Sequence, residues 1–106
     1  MATYLLAYHG GGMPQDEAQR NKIMAAWGEW MGSLGDNLID GGNPVGQTKS
    51  ITSGGAVSDG GGANPVSGYS LIKADSMDQA LAYAKKCPIL GEGGGNVELC
   101  ETFNAM

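Results

Sequence analysis

His9 is the chain's single histidine, and histidine is the side chain whose unperturbed titration lies closest to neutrality, so acid–base chemistry is sought there first. It closes an apolar run, TYLLAYH over 3–9, and a glycine turn, Gly10-Gly11-Gly12, follows at once. A general base in that place needs a carboxylate within hydrogen-bond reach to orient its ring. Asp40 and Asp59 are the loop residues expected to provide it. The bland alternative is a histidine that ties down a strand end through hydrogen bonds. No metal is expected, because one histidine without a second or an acidic cluster at ligand spacing makes a poor site. No cofactor is expected either. Cys87 and Cys100 are read as free buried thiols, since neither has a CxxC or Cys/His spacing and no export signal precedes them.

A second group of residues suits binding instead of proton transfer. Asp40-Gly41-Gly42-Asn43-Pro44 concentrates polar side chains and backbone N–H groups in one turn. Trp27, Trp30 and Tyr69 offer aromatic surface whose simplest use is core. If the turn forms the polar lip of a pocket walled by the first helix, Trp27, Asn43 and Tyr69 are its candidate ligand contacts. The glycine runs GGGANP and GEGGGN do not lead into a helix, and Gly10–Gly12, which does, lacks the GKS/T and GxGxxG spacings. Phosphate-loop chemistry is therefore not expected.

These residues must be held by regular elements. Residues 3–9 are apolar at nearly every position, with Tyr4, Leu6 and Tyr8 on one side of a strand and Leu5, Ala7 and His9 on the other. Pro14, Asp16 and Glu17 suit a helix start. Ile23, Trp27, Trp30, Met31 and Leu34 then form an apolar stripe that Gly35 ends. Gly28 and Gly32 each cost up to about 1 kcal/mol against alanine in that helix. They are expected to pack closely on the sheet or a partner helix, or to open a slot beside the tryptophans. The segment 38–44 is read as a turn, 45–52 as a strand of interrupted pattern, and 53–65 as a glycine-rich connection with a short strand near Val57. GYSLIKADSMDQALAYAKKCP over 68–88 reads as a strand feeding a helix. Ser76 is its N-cap, Gln79 the other half of a capping box, and Pro88 its stop. Asn96 to Thr102 is a last strand.

The order strand, helix, strand, strand, helix, strand describes two split βαβ units. It predicts a ferredoxin-like α+β fold, an antiparallel sheet with both helices on one face and the first and third strands in the centre. Two helices cover one face of such a sheet, so the other is expected to meet a second copy of the chain in a dimeric α+β barrel. With 106 residues the chain fits one domain, 1–106. Its 42% hydrophobic content excludes a disordered chain, while 19 glycines belong to loops. There is no apolar run long enough for a membrane span and no signal-peptide pattern at the start, so a cytoplasmic protein is expected. A net charge of −5, with six scattered Lys and Arg, provides no electrostatic footprint for nucleic acid.

Taken together, YLLAYHG, AAWGEWMGSLGDNLIDGGNPVG and GYSLIKADSMDQALAYAKKCPILGEGGGNVELCE resemble the YCII-related family, in particular its DGPF-type branch. The resemblance covers most of the chain and rests on the order of W-x-x-W, DGGNP, GYS, ADS and KxCP. It implies the same ferredoxin-like fold and barrel dimer. Some relatives carry a helix histidine paired with an aspartate, and one degradative relative is regarded as a dehydrochlorinase of a chlorinated aromatic compound. Here Met24 or Trp27 occupies the approximate place of that histidine, so the dyad does not carry over. Other relatives are joined to sigma-factor-like regions, which these 106 residues do not contain. The expected function is thus a homodimer binding a small organic molecule between its sheet and first helix. A lyase or isomerase using His9 with Asp40 or Asp59, or a regulatory interaction module, is the alternative.

Overall fold

The computed structural model describes residues 2–12, 14–91 and 94–104. Its elements are β1 (Ala2–His9), α1 (Glu17–Leu34), β2 (Leu38–Asp40), β3 (Lys49–Ile51), β4 (Val57–Asp59), β5 (Val66–Ala74), α2 (Met77–Ala84) and β6 (Asn96–Glu101). Short 3₁₀ turns, Gly35–Asn37 and Pro88–Leu90, follow the two helices. The main sheet runs β2-β5-β1-β6 with every neighbouring pair antiparallel. This is the expected ferredoxin-like arrangement, with the two longest apolar strands at its centre.

Alternation along the central strands decides which face is core. Tyr4, Leu6 and Tyr8 of β1 and Ser70, Ile72 and Ala74 of β5 are buried, while the residues between them are half-buried. Trp30 and Leu34 of α1, Ala80 and Ala84 of α2, and then Cys87 and Ile89 close over that same face as one cluster. Both helices therefore lie on one side. The other side carries Leu5, Ala7 and Leu71, with Ile39 of the edge strand 49% exposed.

Helix ends follow the local chemistry. The Asp16 carboxylate accepts from the Ala18 N–H at 3.0 Å and opens α1. Gly35 ends it at φ 55°, its N–H returning to the Gly32 carbonyl. Ser76 caps α2 by accepting from Gln79 N–H at 3.1 Å. The Gln79 side chain reaches back one residue further than a capping box requires, to the Asp75 N–H at 2.6 Å. Pro88 begins the 3₁₀ turn after α2 and does not itself end the helix, which stops at Ala84. Apart from chain neighbours and the helix's own backbone, no described heavy atom comes within 4 Å of a Cβ built on Gly28 or Gly32. The close packing expected there against the sheet is absent among the described residues.

The second strand of the sheet is not where the sequence pattern puts it. The chain leaves α1 through Gly35–Asn37 and runs straight along β5, pairing Leu38 with Ile72 and Asp40 with Leu71. The first three residues of the expected turn, Leu38–Asp40, are therefore the edge strand, held by Leu38 packing on the core, while Gly41–Pro44 remains a turn. Residues 45–52 contribute β3, which pairs with β4 in a separate two-stranded hairpin. The short strand expected near Val57 is present as β4. Ile51 and Val57 face each other in that hairpin at 72% and 60% exposure, outside the core. The GEGGG turn over 91–95 lies partly outside the described residues. Among the described residues, no helix is long and apolar enough to cross a membrane.

Candidate functional site

Between α1 and the carboxyl end of β1 lies a cavity of about 600 Å³. The helix supplies Lys22, Ile23, Ala26, Trp27 and Met31 as one wall. The facing wall is Gly41-Gly42-Asn43-Pro44 and the start of β5, Ser67 to Tyr69. Tyr8 forms part of the lining from the sheet, and Pro88 and Ile89 border it from the turn after α2.

Aromatic packing sets the helix wall. The Tyr8 and Trp27 rings meet edge to face at 5.2 Å and 75°, and Trp27 meets Trp30 at 5.7 Å and 84°. Such edge-to-face pairs orient the rings as well as burying them. Trp30 is anchored from beneath, its indole N–H donating to the Tyr83 carbonyl at 3.0 Å. Trp27 is thus held on one side by Tyr8 and on the other by a fixed neighbour, while remaining part of the cavity wall.

Glycine geometry sets the facing wall. Gly42 has φ 72°, and a Cβ there would collide with the Tyr69 carbonyl, so the turn lies directly on the β5 backbone. The Asp40 carboxylate accepts from the Gly42 N–H at 2.8 Å, Pro44 bridges to Gly68, and the Val45 N–H donates to the Ser67 carbonyl at 3.0 Å. Ser67 is the extra residue of a β-bulge, because Tyr8 pairs with Gly68 and His9 with Val66. Its hydroxyl donates to the Gly10 carbonyl at 2.9 Å. A bulge re-aims the strand end at this rim, a common device beside functional sites.

A buried polar chain ties floor to wall. The Tyr8 hydroxyl donates to Ser70 Oγ at 2.7 Å, and Ser70 donates onward to the Gly41 carbonyl at 2.7 Å. Burial pushes the Tyr8 hydroxyl well above its ordinary range, with the neighbouring Cys87 thiol adding to the effect. Burial likewise raises the Cys87 thiol. Tyr8 is therefore a neutral hydroxyl committed to holding the turn. Both cysteines are free, Cys87 buried and Cys100 half-buried.

The sequence-derived candidates divide in two. Trp27, Asn43 and Tyr69 all line the cavity. Asp40 stands beside it, engaged in the turn. His9 does not line it, and its expected partners are not the ones it has. At 6% exposure, its Nδ1–H faces the carbonyls of Asn64 at 3.0 Å and Pro65 at 3.2 Å, and its Nε2 lies 2.9 Å from the Glu98 carboxylate. Glu98 takes the place expected of Asp40 or Asp59 because β6 pairs directly with β1, setting His9 opposite Asn96. Asp59 is instead bonded to Lys49 across the outer hairpin at 2.6 Å. Both ring nitrogens of His9 are occupied, so proton transfer to a ligand would first require breaking one of these contacts.

Tyr8, Lys22, Met31 and the Pro88–Ile89 turn join the site without having been named from sequence as site residues. Lys22 and Ile23 precede Trp27 by about one helical turn, which is a legible signal. Pro88–Ile89 comes from the far end of the chain and leaves no local trace. Among the described residues, no group of three His, Cys, Asp or Glu is placed to hold a metal ion.

The chain is similar in fold to a solved enzyme. That enzyme is 5-chloro-2-hydroxyhydroquinone dehydrochlorinase (TftG) from Burkholderia phenoliruptrix AC1100, in complex with 2,5-dihydroxybenzoquinone. The two superpose with a TM-score of 0.54 over 96% of this chain and 93% of the other, at 16% sequence identity. At that identity the likeness concerns the fold. No family model matches the chain, and no curated protein sequence does.

Proposed function

We propose that this protein is a YCII-related homodimer of the DGPF-type branch that binds a small, flat organic molecule in the cavity between α1 and the sheet, within the cytoplasm. One observation carries the proposal: a cavity of about 600 Å³ walled mainly by Trp27, Tyr8, Ile23, Met31 and glycine backbone, with few polar side chains. That size and lining are those of a small-molecule site, where apolar walls supply affinity and a few polar groups supply orientation. The hydrogen-bonded turn and the edge-to-face ring pairs mean that little must be ordered on binding, which favours affinity. Further support comes from the dehydrochlorinase of similar fold, which is solved with a hydroxylated quinone. Trp27, Asn43 and Tyr69 are the proposed ligand contacts. The half-buried face carrying Leu5, Ala7 and Leu71, with exposed Ile39 at its edge, is the proposed dimer surface.

A thermal-shift screen of small aromatic compounds, 2,5-dihydroxybenzoquinone among them, tests the proposal. A ligand at a hundredfold excess over its Kd adds about 2.7 kcal/mol, which raises the Tm of a domain this size by about 10 °C. The rise should vanish in Trp27→Ala. A flat response to every compound, or equal shifts in wild type and Trp27→Ala, would contradict it. Light scattering tests the dimer, and a mass of one chain at micromolar concentration would remove that part.

A further inference from the structure

We infer that the ligand carries an anionic oxygen group, a carboxylate or an acidic hydroxyl, on an apolar aromatic body, and that Lys22 selects it. This deepens the small-molecule proposal and rests on it. The chain has 11 Asp and Glu against 6 Lys and Arg, yet among the described residues no carboxylate lines the cavity and the one charged side chain there is Lys22. The charge at the cavity is thus opposite in sign to that of the chain as a whole.

Three of the described acids have partners other than Lys22. Asp40, adjoining the wall in sequence, accepts from the Gly42 N–H. Glu98 faces His9, and Asp59 faces Lys49. Arg20, one turn or less from Lys22 on α1, donates to the carbonyls of Pro14 and Gln15. Lys22 itself forms no ion pair among the described residues. A cationic ligand entering here would meet an ammonium and no carboxylate among the described lining residues. A neutral one would partly cover that ammonium without replacing its lost water. An anion with an apolar body satisfies both ends, its ring against Trp27 and its charge at the exposed rim where Lys22 stands. The affinity gained at a rim is modest, about five-fold for an exposed pair, and is reduced by salt.

The test is a calorimetric titration of 2-naphthoate, 2,5-dihydroxybenzoquinone and neutral 2-naphthamide into wild type, Lys22→Gln and Lys22→Arg. The two acidic probes separate a carboxylate from an acidic hydroxyl as the preferred group. At least one acid should bind wild type about two- to five-fold tighter than the amide. Lys22→Gln should erase that preference by weakening the acid more than the amide, and Lys22→Arg should keep it. Lys22 is exposed on the helix, so neither substitution threatens folding. Equal binding of acids and amide to wild type, or an equal loss of all three in Lys22→Gln, would overturn the inference and leave the cavity proposal standing. If none of the three binds, the inference falls, and the wider thermal-shift screen decides the cavity proposal separately.

Discussion

Replacing Gly42 with alanine tests the wall of the cavity at its most constrained point. The residue has φ 72°, a conformation that costs an L-residue about 1 kcal/mol by itself. The new Cβ would also collide with the Tyr69 carbonyl oxygen and crowd the Tyr69 ring at 3.0 Å. The first obstacle is backbone of a central strand, so relief requires moving the turn itself, a cost of about 2 kcal/mol for an overpacked site. The combined penalty of about 3 kcal/mol corresponds to a fall in Tm of more than about 10 °C for a domain of this size. Moving the turn would also disturb the Asp40 and Ser70 bonds that hold it. Gly46→Ala is the matched control, because nothing lies within 4 Å of its Cβ and its φ is ordinary. Thermal unfolding followed by far-UV circular dichroism measures both. A Gly42→Ala protein melting within about 2 °C of the control would refute the geometry assigned to this turn.

Three further outcomes are expected. Gly28→Ala and Gly32→Ala should each stabilise by about 0.5–1 kcal/mol, measured by urea unfolding, because both sit in open space on α1; a loss in either would show a neighbour that the single chain lacks. Trp30→Phe should cost about 1–2 kcal/mol in the same assay, through loss of the indole bond to the Tyr83 carbonyl and of ring volume; an unchanged midpoint would deny that anchor. Burial raises the Tyr8 hydroxyl and the Cys87 thiol above their ordinary values of 10.0 and 9.0. The unfolded chain therefore loses these protons first, and stability should be level up to about pH 8.5 and fall as pH rises further. Tyr8→Phe should flatten that fall, and an identical alkaline slope in the two proteins would rule out the coupling.

The sheet was legible wherever a segment's pattern agreed with its role. Residues 3–9 are apolar on both faces and 69–74 form a largely apolar run because they end up central, as the β1 and β5 register shows. Asp16, Gly35 and Ser76 act as the caps that their side chains and position imply. Leu38–Asp40 escaped notice because three residues are too few to show a period, and its strand character comes from Ile72 and Leu71 alongside. Trp27, Asn43 and Tyr69 share one cavity lining, a placement that aromatic and turn residues suggest from sequence because they provide surface and rim. The His9 partner was missed for a different reason: which carboxylate reaches it depends on the β1–β6 register, 89 residues apart in sequence, and no local pattern encodes that.

The central claim, that a small molecule enters between Trp27 and the Gly41–Asn43 turn, is tested most directly by titrating 2,5-dihydroxybenzoquinone and small aromatic acids into ¹⁵N-labelled protein. The Trp27 indole N–H and the amides of Gly41, Gly42 and Asn43 should shift together, while the Trp30 indole N–H, held by the Tyr83 carbonyl, stays nearly still. Shifts confined to the Leu5 and Leu71 face of the sheet, or none with any compound, would contradict the account.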